Sequence, residues 1–71
     1  MKVSAMYEVE SHRAFTSRMK CKKCDGTFYS IYHQTQPKCV FSWWLQCNIC
    51  GHEGYASTSR EAAIERWRNE N

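Results

Sequence analysis

The residues of this chain best suited to chemistry are two cysteine pairs of the form Cys-x-x-Cys. Two cysteines separated by two residues can direct both sulfurs at one cation from a tight turn, and two such turns supply four thiolates. Residues 25–46 lie between the pairs, and this length suits a hairpin that brings the two turns together. The spacing predicts one tetrahedral metal site formed by Cys21, Cys24, Cys47 and Cys50.

Four protein ligands leave no coordination position for water or substrate, so the predicted site is structural rather than catalytic. One zinc ion is expected, and iron in the same four-sulfur geometry is the alternative. Two disulfides would be a further alternative, whereas a thioredoxin-like redox role needs a longer βαβ scaffold. Gly51 directly follows Cys50 and permits a positive φ there. Gly26 lies two residues after Cys24, one residue later than the equivalent position in the first knuckle.

Length and composition make a metal the expected source of stability. The chain has 71 residues, of which 42% are hydrophobic and 14% aromatic, so one small ordered domain is predicted. Domains this small usually need disulfides, a metal or oligomerisation. The fifth cysteine, Cys39, has no partner at the same spacing. With no long apolar run, neither a membrane span nor a signal segment is expected, which favours a reducing cytoplasm.

The hydrophobic pattern divides the chain into an N-terminal extension, residues 1–18, and a domain, residues 19–71. Residues 2–10 partly alternate and suit one extra strand, with fraying as the alternative. Three strands are predicted in the domain, over residues 27–33, 39–47 and 54–57.

A C-terminal helix over residues 59–69 follows, with Thr58 as its N-cap, Glu61 closing a capping box and Trp67 as its main anchor. The expected fold class is therefore a small metal-stabilised α+β zinc ribbon. It combines a three-stranded antiparallel sheet, two Cys-x-x-Cys knuckles and the C-terminal helix.

The basic residues are concentrated near the first cysteine pair, although the net charge is only +3. Five of them lie in a stretch without acids: Arg13, Arg18, Lys20, Lys22 and Lys23. Such a run predicts a surface that contacts phosphates of a nucleic acid. The alternative is local neutralisation, because four thiolates around one zinc ion carry a charge of about −2. The positive sign excludes inhibition by resemblance to DNA.

The neighbouring tryptophans Trp43 and Trp44 predict a second exposed surface. Successive side chains of a strand point to opposite faces, so one helix cannot cover both rings. The uncovered ring would contact a protein partner or a second copy in a homodimer, since Trp and Tyr anchor interfaces. Cover by the N-terminal extension and stacking on unpaired bases are the alternatives.

Three motifs resemble the Lar-like zinc ribbons of phages and prophages, the restriction alleviation proteins. They are Cys21-Lys-Lys-Cys24-Asp-Gly, Cys47-Asn-Ile-Cys50-Gly and the helix Glu61-Ala-Ala-Ile-Glu-Arg-Trp67, and the resemblance spans residues 19–69. Lys22 and Asp25 stand where the family has Pro and Gly, and Arg68 separates Trp67 from Asn69. The resemblance implies a phage origin and modulation of a host type I restriction–modification system.

The leading prediction is therefore a non-enzymatic phage zinc ribbon that binds a host protein, such as a restriction–modification enzyme, in the bacterial cytoplasm. A nucleic-acid-binding or transcription-associated ribbon is the alternative. Catalysis is not expected, because the sequence offers neither a Ser/His/Asp set nor an open metal site. The predicted hairpin tip, residues 34–38, also contains no acid that could hold a catalytic metal. No membrane partner is expected.

Overall fold

The computed structural model describes residues 6–70, and its strands form one antiparallel sheet in the order β1-β2-β3. The elements are β1 (Met6–Arg13), a 3₁₀ turn (Ser17–Met19), β2 (Phe28–Gln36), β3 (Trp43–Cys47) and α1 (Arg60–Glu70). The helix packs on one face of this sheet. The predicted fold class, a small α+β domain with a three-stranded antiparallel sheet and a C-terminal helix, is confirmed.

The identity of the third strand differs from the prediction. The N-terminal extension supplies β1, which pairs with β2 along its whole length, with one irregularity between Met6 and Tyr7. Residues 2–5 of the predicted extra strand lie outside the described residues. The strand predicted over 54–57 is wrong, since this segment makes only one isolated bridge to β3, between Ser57 and Trp43. It passes close to the Trp67 ring, since a Cβ on Gly54 would lie 2.9 Å from a ring carbon.

The core lies between the sheet and α1, next to the cysteine pairs. Ile31 and Leu45 from the sheet and Ala63 and Trp67 from the helix are buried, together with the cysteines at positions 21 and 47. An isolated helix of eleven residues is marginal in water, so α1 depends on this docking. Two of the four predicted metal ligands, Cys21 and Cys47, therefore belong to the hydrophobic core.

The helix begins one residue later than predicted. The Ser59 hydroxyl accepts a hydrogen bond from the backbone N–H of Ala62 at 3.2 Å, so Ser59 rather than Thr58 is the N-cap. The third helical position is then Ala62, which cannot close a capping box. Among residues 6–70, no helix has the length and apolar character needed to cross a membrane.

Candidate functional site

The four predicted cysteine ligands meet in one cluster between the two knuckles. Their sulfurs all lie within 4.8 Å of one another. The Sγ atoms of Cys21 and Cys50 are 3.6 Å apart, and those of Cys24 and Cys47 are 3.5 Å apart. A tetrahedron with metal–sulfur bonds of about 2.3 Å has sulfur–sulfur edges of about 3.8 Å. The four side chains therefore fit a single four-coordinate metal ion.

The two knuckles are built by the same backbone turn. The N–H of Asp25 donates to the Cys21 carbonyl at 2.8 Å, and the N–H of Gly51 donates to the Cys47 carbonyl at 3.1 Å. Both donors have positive φ, 58° at Asp25 and 81° at Gly51. The predicted role of Gly51 is confirmed, whereas in the first knuckle an aspartate takes the left-handed conformation that glycine adopts more easily.

Gly26 serves the first knuckle in a different way from Gly51. A Cβ on Gly26 would lie 2.6 Å from Ile49 Cδ1 and 3.0 Å from Cys24 Sγ. Its lack of a side chain therefore lets the second knuckle approach the first. This close approach positions the sulfurs of both pairs around one point.

The electrostatics of the cluster differ from one sulfur to the next. Burial raises the pKa of the Cys47 thiol, but hydrogen bonds outweigh it and lower this pKa to about 7. Two of these bonds come from the backbone N–H groups of Cys50 and Ile49, at 3.5 and 3.3 Å from the sulfur. Desolvation, followed by the neighbouring sulfurs, raises the pKa of the Cys24 thiol to about 12. Four thiolates this close need a cation among them to be charged together.

Trp43 and Trp44 lie on opposite faces of the sheet, as predicted. The Trp43 ring stacks on His33 with 3.9 Å between ring centroids and 8° between planes, on the face that carries α1. The Trp44 ring stacks on Tyr32 at 5.6 Å and meets the edge of Tyr7 at 5.7 Å on the other face. We call this second surface the open aromatic face, formed by Tyr7, Val9, Phe28, Tyr32 and Trp44.

The open aromatic face is continuous with the second knuckle through a short hydrogen-bonded chain. Ser11 and Ser30 hydroxyl oxygens are 3.0 Å apart, and Ser30 Oγ donates to Asn48 Oδ1 at 2.8 Å. Ser30 is buried, so this chain satisfies its hydroxyl and links β1 to the residue after Cys47. No local pattern along the chain predicts this link, because it depends on the register of the strands.

The five residues of the predicted basic run lie in different parts of the structure. Arg13 lies at the end of β1 with its guanidinium 5.0 Å from the centre of the Phe28 ring. Arg18 lies in the 3₁₀ turn and lines a cavity of about 460 Å³ with Arg68. Lys22 Nζ donates to the carbonyl of Asn69 at 3.3 Å, near the helix C-terminus where a cation is favourable. Lys20 directly precedes the first cysteine pair, and Lys23 lies within it.

Further polar contacts were not foreseen from the sequence. Glu10 Oε2 accepts hydrogen bonds from Arg60 Nη2 at 2.9 Å and Nε at 3.3 Å, and lies 3.0 Å from His12 Nε2. His33 Nδ1 lies 3.3 Å from a Glu8 carboxylate oxygen. The Glu10–Arg60 and Glu8–His33 pairs join residues distant in sequence, so no local pattern indicates them.

The fifth cysteine, Cys39, and His52, which lies two residues after Cys50, are outside the four-sulfur cluster. Cys39 is exposed in the β2–β3 loop. His52 is half-buried, with its ring centroid 6.0 Å from that of Trp67. Neither residue is needed to complete the four-ligand shell.

Comparisons of the chain with protein-family models, with curated proteins and with solved structures give no match. The resemblance to Lar-like ribbons therefore stays a prediction that rests on the motifs of residues 19–69. The metal site and the fold rest on the geometry described above.

Proposed function

We propose that this chain is a non-enzymatic binding module, folded around one structural zinc ion, that docks a host protein through its open aromatic face. The ion is assigned from the donor set, since four thiolates in a tetrahedral arrangement suit zinc and hold it in a closed shell. Iron suits the same shell, and metal analysis of the purified protein distinguishes the two. A closed shell gives the ion a role in folding and none in substrate activation.

The observation that carries the docking proposal is the exposure of aromatic side chains on the face without the helix. Tyr7, Val9 and Phe28 are 49%, 51% and 43% exposed and adjoin the half-buried pair of Tyr32 and Trp44. Contiguous apolar surfaces of this kind mark interaction sites, and Trp and Tyr supply much of the binding energy in protein interfaces.

A protein partner fits this face better than a nucleic acid does. Binding to a phosphate backbone requires several cations along the same surface. Of the five residues in the basic run, Arg13 alone lies in the sheet, and its guanidinium is placed over the Phe28 ring. The resemblance to restriction alleviation proteins favours, as the partner, a type I restriction–modification enzyme in the cytoplasm of a bacterial host.

Nucleic-acid binding is the second candidate. The flat Tyr32–Trp44 stack beside Arg13 offers rings on which unpaired bases could stack. Affinity for a single-stranded oligonucleotide that falls steeply with salt supports this candidate. Phosphate contacts bind most tightly at low salt, so absence of binding at about 50 mM salt contradicts this candidate.

The test is affinity capture from a bacterial lysate with the zinc-loaded chain, before and after nuclease treatment. We expect a discrete host protein to be retained after nuclease treatment and lost with Trp44→Ser. The matched control is Val40→Ser, which removes an apolar side chain that is 70% exposed in the β2–β3 loop. Loss of all bound material on nuclease treatment, or equal capture by both variants, contradicts the proposal. Addition of the chain to a purified type I enzyme, with cleavage of unmodified DNA as the readout, tests the named partner.

A further inference from the structure

The outer edge of β1 has backbone groups without a partner among residues 6–70. Directly after β1, the N–H of Ala14 donates to the Thr27 carbonyl. Hydrogen-bonded pairs alternate in an antiparallel ladder, so Glu8, Glu10 and His12 bond to β2. The other residues direct their N–H and C=O groups away from the sheet: Tyr7, Val9, Ser11 and Arg13.

The opposite edge of the sheet is covered by the chain itself. The N–H of Gly54 donates to the Leu45 carbonyl at 2.7 Å, and Trp43 exchanges two backbone hydrogen bonds with Ser57, at 2.6 and 3.1 Å. The described sheet therefore presents one open edge, β1. An exposed edge of this length is a template for pairing with another strand.

We propose that two copies of this chain pair antiparallel through β1, about a twofold axis at Glu10, and form one six-stranded sheet. In this register Tyr7 lies opposite the partner's Arg13, and Val9 lies opposite the partner's Ser11. These four outward residues then form four hydrogen-bonded pairs of two bonds each, eight bonds in all. Every outward N–H and C=O of Tyr7, Val9, Ser11 and Arg13 is satisfied.

The pattern of polar side chains along β1 favours a second copy of this chain as the strand that pairs with its open edge. The first half of the strand carries Glu8 and Glu10, and the second half carries His12 and Arg13. An antiparallel pairing places Glu8 opposite the partner's His12 on both sides of the axis, where an imidazole N–H can donate a hydrogen bond to the carboxylate. A shift by two residues in one direction would oppose Glu8 to the partner's Glu10. The same shift in the other direction would leave Tyr7 unpaired.

At the axis, Glu10 faces its own copy, and like charges directly opposite are unfavourable. Each carboxylate brings its own cation, because Arg60 donates two hydrogen bonds to it, and His12 lies 3.0 Å from it. On the other face, the partner's Arg13 would lie between Tyr7 and the partner's Phe28, a favourable place for a guanidinium. The two open aromatic faces would become one surface.

The first test is sedimentation equilibrium of the purified zinc-loaded chain under reducing conditions. Val9→Pro removes an N–H that points away from the sheet, a position where an edge strand tolerates proline. The control Val9→Thr keeps that N–H. We expect a reversible monomer–dimer equilibrium for the wild type and Val9→Thr, and a dimer dissociation constant raised about tenfold or more by Val9→Pro. Circular dichroism and zinc content show whether the proline variant is folded.

A second test does not depend on the proline variant and examines the register. In a homodimer of the His12→Glu variant, the new carboxylate lies opposite the partner's Glu8 carboxylate. In a heterodimer of the His12→Glu and Glu8→Lys variants, the same carboxylate lies opposite an ammonium group. Native mass spectrometry of the mixture is expected to show heterodimer above the statistical fraction. Three results would each overturn the proposal. The wild-type chain could stay monomeric at its highest soluble concentration, the two Val9 variants could dimerise equally, or the mixed charge variants could form heterodimer only at the statistical fraction. The purified chain is used alone, so the outcome is independent of any host partner.

Discussion

The indole nitrogen of Trp67 donates a hydrogen bond to the backbone carbonyl of Met19 at 2.7 Å. This bond joins α1 to the segment that enters the first cysteine knuckle, two residues before Cys21. Because Trp67 is also buried against the sheet, one side chain couples the helix, the core and the metal site.

We predict that Trp67→Phe lowers the free energy of unfolding of the zinc-loaded chain by about 1–3 kcal/mol, because the Met19 carbonyl loses its donor. Trp67→Ala is expected to cost about 3–5 kcal/mol, since it also leaves a cavity. Chemical denaturation followed by circular dichroism measures both. Trp44→Phe on the open aromatic face is the control and should have a smaller effect. Equal effects of the two Trp→Phe variants would contradict the coupling role of Trp67.

Asp25 occupies a left-handed conformation at the position equivalent to Gly51. Asp25→Gly removes the backbone strain of the left-handed conformation, which costs at most about 1–2 kcal/mol for aspartate. The greater conformational freedom of glycine in the unfolded chain offsets part of this gain in stability. We expect a gain in stability of up to about 1 kcal/mol, measured by denaturation of the zinc-loaded protein. Lys23→Gly, in the same knuckle but without positive φ, should destabilise. A loss of stability in Asp25→Gly would contradict this account of the turn.

We expect any side chain in place of Gly26 to lower the affinity of the chain for zinc. Gly26→Ala places a methyl group against Ile49 and Cys24 Sγ, and overpacking of this kind costs about 1–3 kcal/mol. Competition with a chromophoric chelator measures the zinc affinity. Ile49→Ala in the same chain should restore part of it, because it removes the closer of the two contacts. If Gly26→Ala binds zinc as tightly as the wild type, the knuckles are not packed as described.

The pKa of Glu10 is predicted to lie below the ordinary glutamate range, first because Arg60 donates hydrogen bonds to its carboxylate and second because His12 does. A pKa depressed in the folded state contributes stability above the unfolded-state pKa and loses it as the pH falls through the folded-state value. Arg60→Gln should therefore raise the Glu10 pKa in an NMR titration. Arg66→Gln, which removes a partner of Glu70 instead, should leave it unchanged. A Glu10 pKa insensitive to Arg60→Gln would refute the assignment.

Several features could be predicted because they depend on short distances along the chain. The Cys-x-x-Cys spacing identified all four residues of the cluster, and the glycine after Cys50 identified its left-handed turn. Alternation along one strand was enough to separate Trp43 from Trp44. Each of these follows from covalent geometry over a few residues.

Features set by distant contacts could not be predicted in the same way. Whether the N-terminal segment or residues 54–57 completes the sheet depends on which one pairs with a strand far away in sequence. Both segments have a local pattern compatible with a strand, but β1 pairs with β2 along its length, whereas residues 54–57 make one isolated bridge to β3. The stacking of His33 on Trp43 likewise requires the β2–β3 register, which no single segment contains.

The most direct test of the central claim is the metal content and metal dependence of the fold. We expect the chain, purified under reducing conditions, to contain one zinc ion, and a strong chelator to abolish its cooperative thermal unfolding transition, with recovery when zinc is returned. A purified native chain without bound metal, or a chelated chain that keeps its compact structure and its cooperative transition, would contradict the account.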